Sequence, residues 1–212
     1  MSANFTEFAV TTADGENRLA RCCFATLRDV NEIEAWPQQV RGANDSVAED
    51  ALEFAELACE RWRFNRSKRR TASGIPAMKR KIATDKFAEL AVLCIARATW
   101  TKPSILGIAL FRRTWCNHLA LDFLATHPLR LMNGPDRIGR VGTGLLFGIV
   151  EVALALNADV LWAETTQTSA PFYKRVFDLE KVEDLLWVPE PNLRAFHIVM
   201  EEQAKKSGLR KE

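Results

Sequence analysis

The spacing of apolar and polar residues divides the chain into short strands and helices with one apolar face. The stretch RLARCCFATLRDV predicts a first strand that ends at Asp29, a suitable N-cap for the helix that follows. Residues 46–64 carry apolar side chains at helical spacing, and Ser46 followed by Glu49 is the pattern of a capping box, so a helix is predicted there. The basic stretch 65–86 contains a glycine and a proline and is predicted to be a loop.

The second half of the chain alternates strands and helices. Three short apolar runs separated by turn residues predict an antiparallel meander at 87–97, 104–113 and 117–128. The second half of residues 137–159 is apolar over nearly four turns, which predicts a helix buried on most of its surface. The remaining predicted elements are a strand at 159–166, a short helix at 169–179, and two strands at 184–191 and 194–200.

These elements define the fold class. Helices on a mixed, mostly antiparallel sheet, with one strand–loop–helix–strand crossover, are typical of a single α/β or α+β domain. The chain has 212 residues, of which 48% are apolar and 26% charged, and this size and balance suit one globular domain over residues 1–212.

The composition restricts the classes of protein. A net charge of +2 is too small to indicate nucleic-acid binding by itself. We expect no signal peptide, because no basic region leads into an apolar run at the N-terminus, and no window approaches a membrane span of about 20 apolar residues. Five cysteines without metal-type spacing indicate reduced thiols, so a cytoplasmic protein is expected. Three histidines that do not cluster in the sequence predict no metal site.

The loop Gly139-Arg140-Val141-Gly142-Thr143-Gly144 lies between a predicted strand and a predicted helix. Glycines bring backbone N–H groups close to a ligand, and a helix N-terminus attracts negative charge, so the loop suits a pyrophosphate. A tight turn would use glycine equally well. The loop is not a Walker loop, because Leu145 and Leu146 stand where Lys and Ser or Thr are required. A dinucleotide-binding fold should begin with such a unit, whereas this one begins two-thirds of the way along the chain.

Four segments in order resemble the GNAT-type N-acetyltransferase superfamily. They are LALDFLATHP, GRVGTGLL, DVLWAETT and SAPFYKRVF, and the resemblance covers residues 117–179. The sequence departs from the family pattern in three ways. Several extra residues precede the glycine loop, Gly139 stands where glutamine or arginine is usual, and Thr166 and Phe177 replace an asparagine and a glycine.

The resemblance implies a fold, a donor and an acceptor. The donor would be acetyl-coenzyme A, and the acceptor an amine-bearing small molecule or protein. The strand that ends near Leu124 and Thr126 would offer main-chain groups to the pantetheine arm and thioester. The remaining residues implied to bind coenzyme A are the arginines beside the loop and the loop itself: Arg137, Arg140, Val141, Gly142, Thr143, Gly144 and Leu145. The resemblance leaves a homodimer open.

Tyr173 is the only tyrosine in a chain with twelve phenylalanines and six tryptophans. The resemblance places it where the family often has a tyrosine that protonates the departing thiolate, a role that phenylalanine cannot fill. An acceptor amine with a pKa near 10.4 must lose a proton before it attacks. Asp122, which aligns with a carboxylate base of some relatives, Glu164 and His127 are the candidate bases, each acting directly or through water. A surface or capping role is the alternative for each.

Residues 61–84 contain nine basic residues and no acidic one. A basic patch beside an active site would attract an acidic acceptor, such as a nucleic acid or a phosphorylated metabolite. Trp62 and Phe64 interleave with the arginines and suggest base stacking, although a solvated loop is the simpler interpretation. Two functions therefore stay open: an N-acetyltransferase, or a non-catalytic GNAT-like module that binds RNA or a protein partner.

Overall fold

The computed structural model describes residues 4–40, 46–132 and 134–206. The strands are β1 (Asn4–Thr12), β2 (Asn17–Phe24), β3 (Leu90–Arg97), β4 (Ile105–Arg113), β5 (Leu119–Thr126), β6 (Ile138–Gly139), β7 (Val160–Glu164) and β8 (Leu185–Pro189). The helices are α1 (Leu27–Glu34), α2 (Trp36–Gln39), α3 (Ser46–Ser67), α4 (Ile75–Thr84), α5 (Pro128–Leu131), α6 (Val141–Ala155), α7 (Ala170–Val176) and α8 (Glu190–Lys206).

The strands form one sheet of eight in the order β6-β1-β2-β3-β4-β5-β7-β8. Every neighbouring pair is antiparallel except β5 and β7, which are parallel and joined by the crossover through α6. The predicted meander of β3, β4 and β5 is confirmed. The predicted fold class, a mixed and mostly antiparallel sheet flanked by helices with a glycine loop leading into a buried helix, is also confirmed. No helix among the described residues is long and apolar enough to cross a membrane.

Each face of the sheet has its own hydrophobic core. Helices α6, α7 and α8 pack on one face together with Met78 of α4, and this is the larger core. Helices α1, α2 and α3 pack on the opposite face, around Trp36 and Trp62. Side chains alternate between the two faces along each strand, so strands covered on both faces are apolar at almost every position. Both β3 and β4 show this pattern of burial.

Helix α6 lies very close to the sheet because two of its residues lack a side chain. A methyl group added at Gly144 would overlap the ring of Phe8 on β1. One added at Gly148, a turn later, would lie 2.5 Å from the Sγ of Cys22 on β2. These two glycines allow the helix axis to approach the strands, and the buried apolar residues around them fill the remaining space.

The first half of the chain differs from the prediction in three places. Strand β1 precedes the strand that the sequence predicts, and the helix after β2 is capped by Thr26 instead of Asp29. Asp29 is the third helical residue, where its carboxylate completes a capping box and pairs with Arg97 at 2.5 Å. The stretch predicted as a loop contains the end of α3 and the whole of α4. Pro76 is compatible with α4 because it lies in the first turn, where its missing N–H costs nothing.

The final predicted strand, at 194–200, is wrong. These residues belong to α8, whose buried side chains are Leu193, Phe196, Met200 and Ala204. Their spacing of three, four and four is helical. The shorter run RAFHIVM resembles a strand only because it is apolar and follows a proline.

We predict that Gly144→Ala lowers the free energy of unfolding by about 1–3 kcal/mol, the usual cost of overpacking a filled core. The clash is with the ring of Phe8, which is itself buried and has no room to rotate away. The matched control is Gly139→Ala in the same loop, where the nearest atom lies 3.7 Å away in ordinary contact, so a change within about 0.5 kcal/mol is expected. Urea unfolding measures both, and equal losses would contradict the prediction.

Candidate active site

Strands β5 and β7 separate soon after they meet. Their pairing consists of Leu119 with Leu161 and Ala120 with Trp162. Beyond these pairs β5 continues to Thr126 with β4 as its neighbour on one side only. Main-chain N–H and C=O groups on its other side therefore face an opening with no strand to bind them, and buried groups of this kind require a partner.

A β-bulge lies at the start of this opening. Leu110 of β4 pairs with Phe123, whereas its neighbour Phe111 pairs with Leu121, so Asp122 is the extra residue on β5. A bulge bends its strand and redirects nearby side chains. Here it lets β5 turn away from β7.

The N-terminus of α6 lies at the same opening. Arg140 precedes the helix in a left-handed conformation with φ of 69°, and no side chain from the described residues caps this end. The Gly144 N–H donates to the Arg140 carbonyl at 3.0 Å. The N–H groups of residues 141–143 therefore have no helical acceptor, and the positive end of the helix dipole adds to their attraction for an anion.

The three glycines of the loop have different roles. Gly139 belongs to β6 and pairs with Thr11 of β1, and Gly144 faces the sheet. Gly142 alone borders the opening, where an added methyl group would lie 3.3 Å from the ring of Phe172 and 3.9 Å from Leu124. Packing on the sheet thus accounts for Gly144, and Gly142 lies at the opening between Phe172 and Leu124.

Tyr173 lies in α7, next to the ring that covers Gly142. It is 6% exposed, and its ring centroid is 5.2 Å from that of Phe172. Burial raises the pKa of the Tyr173 phenol to about 12. The described residues provide no hydrogen-bond partner for its hydroxyl, and the raised pKa keeps the phenol protonated at neutral pH.

The carboxylate of Asp122 is paired with arginine side chains. Arg112 on β4 donates two hydrogen bonds to its carboxylate at 2.6 and 2.8 Å, and Arg61 of α3 approaches to 3.8 Å. These bonds raise the pKa of the Arg112 guanidinium above its usual value. The bidentate arginine occupies lone pairs of the carboxylate that would otherwise be free to accept a proton. Arg112 is not among the residues predicted from the sequence, although a pair of arginines at the end of an apolar strand is a visible signal.

Glu164 is exposed at the end of β7. Residues along a strand alternate between faces, and Ala163 belongs to the core beside α6, so Glu164 points to the opposite face. Asp122 contacts Arg61 of α3 and therefore lies on that same face. The two carboxylates thus flank the opening, each two residues beyond the last pair of β5 and β7.

His127 has a structural role. It is fully buried, its Nδ1 accepts the Leu129 N–H at 3.2 Å, and its Nε2 lies 3.1 Å from Oε1 of Gln39. Its ring also packs against Trp36 with centroids 4.5 Å apart. Burial, helped by the charge of Arg130, lowers the pKa of His127 to about 4. Both ring nitrogens are occupied in the neutral form, which makes the imidazole unsuitable as a base.

The two arginines beside the loop lie in different environments. Arg140 donates to Oε1 of Gln203 on α8. Arg137 is exposed and lines a shallow cavity with Thr11, Thr12 and Gly139 at the edge of the sheet. The structure therefore places Leu124 and residues 141–143 together at the opening and leaves Arg137 at its periphery.

The basic segment 61–84 is helical at both ends and lines one side of a cavity of about 520 Å³, whose other side includes Asp85 and Glu89. The basic side chains that line the cavity are Arg69, Arg70, Arg80 and Lys81. Arg63 is neutralised by Glu34 at 2.7 Å, and Trp62 is buried, so it is not available for stacking. Phe64 is 59% exposed, so its ring is accessible for stacking on a base.

No protein-family model and no curated protein matches this chain. Among solved structures, nourseothricin acetyltransferase is 19% identical with a TM-score of 0.33, and the match covers 42% of this chain and 48% of that one. A GNAT-family acetyltransferase from Staphylococcus aureus Mu50 and Tetrahymena GCN5 are each 13% identical with a TM-score of 0.39. These matches cover 74% and 79% of this chain, and 81% and 76% of the other two.

This chain thus matches about half the length of nourseothricin acetyltransferase. The matched structures include GNAT-family acetyltransferases, the superfamily that the sequence motifs resemble.

We predict that His127 makes stability depend on pH between about 4 and 6.5. The folded-state pKa is about 4 and the ordinary value 6.5, so the unfolded chain binds the proton more readily in this window. The stabilising contribution is therefore complete above pH 6.5 and falls as the pH drops, by up to about 3 kcal/mol. The free energy of unfolding, measured with urea at several pH values, should depend less steeply on pH in His127→Gln than in the original chain. An unchanged dependence on pH would contradict the prediction.

Proposed function

We propose that this protein is an acyl-coenzyme A-dependent N-acyltransferase that uses acetyl-coenzyme A and a primary amine. The observation that carries the proposal is the opening between β5 and β7, where unpaired main-chain groups meet the uncapped N-terminus of α6. A ligand with an amide-containing arm and a pyrophosphate matches both sets of groups. Coenzyme A has both, and the GNAT motifs of the sequence favour the same ligand.

The binding of the donor follows from these groups. The β5 edge from Leu121 to Thr126 would pair with the amides of the pantetheine arm as a missing strand would. The N–H groups of residues 141–143 would hold the pyrophosphate. Phe172, which contacts Gly142, would flank the arm and exclude water from the thioester.

The chemical step is direct attack of the amine nitrogen on the thioester carbon, with cleavage of the carbon–sulfur bond. The backbone holds the thioester in position, which contributes through proximity and orientation. Tyr173 would donate to the departing sulfur. Because its pKa of about 12 exceeds the value of about 8.5 for a thiol, the hydroxyl would act first as a hydrogen-bond donor to the developing thiolate.

The amine proton must go to a base on the acceptor side of the opening. Glu164 is better suited than Asp122, because Asp122 is engaged by Arg112 in two hydrogen bonds and Glu164 is exposed. In this assignment Asp122 and Arg112 fix the bulge that separates β5 from β7. Glu164 would accept the proton directly or through one water molecule.

We predict that Tyr173→Phe keeps affinity for acetyl-coenzyme A and lowers kcat by about 10²-fold. The ring stays buried in the same core, so the fold and the binding groups on the backbone are retained. Calorimetry measures binding, and thiol release against a panel of amines measures turnover. Absence of coenzyme A binding in the original chain would overturn the proposed function. Unchanged turnover in the variant would overturn only the role of Tyr173.

We predict that Glu164→Gln lowers kcat/KM near neutral pH by about 10²-fold and that the loss shrinks as the pH approaches the pKa of the amine. A deprotonated amine no longer needs a base. The matched control is Glu183→Gln, an exposed carboxylate that pairs with Lys181, and it should leave the pH profile unchanged. Equal effects of both substitutions would remove Glu164 as the base.

A binding module for RNA is the second candidate, favoured by the basic cavity beside α4. Fluorescence anisotropy with single-stranded RNA at several salt concentrations separates it from the enzyme. If the protein is an RNA-binding module, its affinity for RNA should fall steeply as the salt concentration rises and should also fall in Arg70→Ala. The same protein should not bind coenzyme A.

A further inference from the structure

Two carboxylates and one imidazole lie close together between α6 and α8, on the face of the sheet that these two helices cover. Glu151 belongs to α6, and His197 and Glu201 belong to α8. One potential ligand atom from each lies within 4.8 Å of the other two, and all three residues are half-buried. None of them is part of the opening between β5 and β7 or of the sequence motifs.

The packing of the two helices brings these side chains together. His197 and Glu201 are four residues apart and so lie on one face of α8. The His197 ring packs against Phe147, one turn before Glu151 on α6, with ring centroids 5.3 Å apart. Its Nε2 lies 3.0 Å from Oε1 of Glu151. The ring is thus held with this nitrogen directed at the carboxylates.

We propose that this cluster is a binding site for a divalent transition-metal ion of the Zn²⁺ type. The donor set is one imidazole nitrogen and two carboxylate oxygens, and zinc takes both ligand types with water in a fourth position. The imidazole distinguishes zinc from Mg²⁺ and Ca²⁺, which prefer sites made of oxygen ligands alone. The metal would take the place of the direct contact between Nε2 of His197 and Oε1 of Glu151.

The ion would join α8 to α6. Helix α8 also reaches the glycine loop, because Gln203 accepts a hydrogen bond from Arg140 at the start of α6. A ligand that binds the folded chain and not the unfolded one stabilises it by mass action. Bound metal therefore raises the melting temperature and holds the helix that contacts the loop.

The test uses the full chain with Cys116→Ser, because Cys116 is an exposed thiol that would bind metal on its own. Calorimetry with Zn²⁺ alone should show one site per chain, and Mg²⁺ should show none. Co²⁺ in place of Zn²⁺ should give the visible absorption of a four-coordinate ion, which reports the ligands directly. We expect His197→Ala and Glu201→Gln each to weaken Zn²⁺ binding by about tenfold or more.

The matched control is Glu202→Gln, an exposed neighbour on α8 that lies outside the cluster, and its affinity for Zn²⁺ should equal that of the original chain. Circular dichroism checks that each variant is folded, and Glu151→Gln on α6 provides an independent test if an α8 variant unfolds. The proposal fails if Zn²⁺ does not bind at one site per chain. It also fails if the cluster variants bind as tightly as the Glu202→Gln control.

Discussion

The approach of α6 to the sheet is the contact on which the rest of the structure depends. Gly144 and Gly148 lack side chains where Phe8 and Cys22 occupy the space, so the helix lies directly on β1 and β2. Its N-terminus then meets the opening where β5 and β7 separate, and Glu151 further along the helix faces α8. The uncapped N-terminus of the helix and the proposed metal cluster are thus positioned by one close packing contact.

The candidate active site consists mainly of backbone. The edge of β5 is open because its pairing with β7 ends at Ala120, just before the bulge at Asp122. The first N–H groups of α6 are free because a helix start leaves them without an acceptor. The candidate side chains lie at its margin: Tyr173 is buried and its pKa is raised, and Glu164 is exposed on the other face.

The fold could be predicted where a local pattern records burial. The strands β3, β4 and β5 and the helix α6 are apolar because both faces or most of the surface are covered, and each was predicted. Helices α4 and α8 were not predicted. A proline can mark either a loop or a helix start, and a short apolar run can be either a strand or part of a helix, until the residues packed against it are known. The site was predicted less well: His127 is a buried structural residue, and Asp122 is paired with Arg112.

The sequence by itself determined the order of the core elements, the position of the glycine loop before a buried helix, and the single tyrosine in the helix after β7. These are local properties, because spacing along the chain records which side chains are covered. Only the tertiary structure decided that Gly144 serves packing and Gly142 borders the opening, and that His197 meets Glu151. These contacts join residues far apart in the chain, and the packing of helices on the sheet sets them.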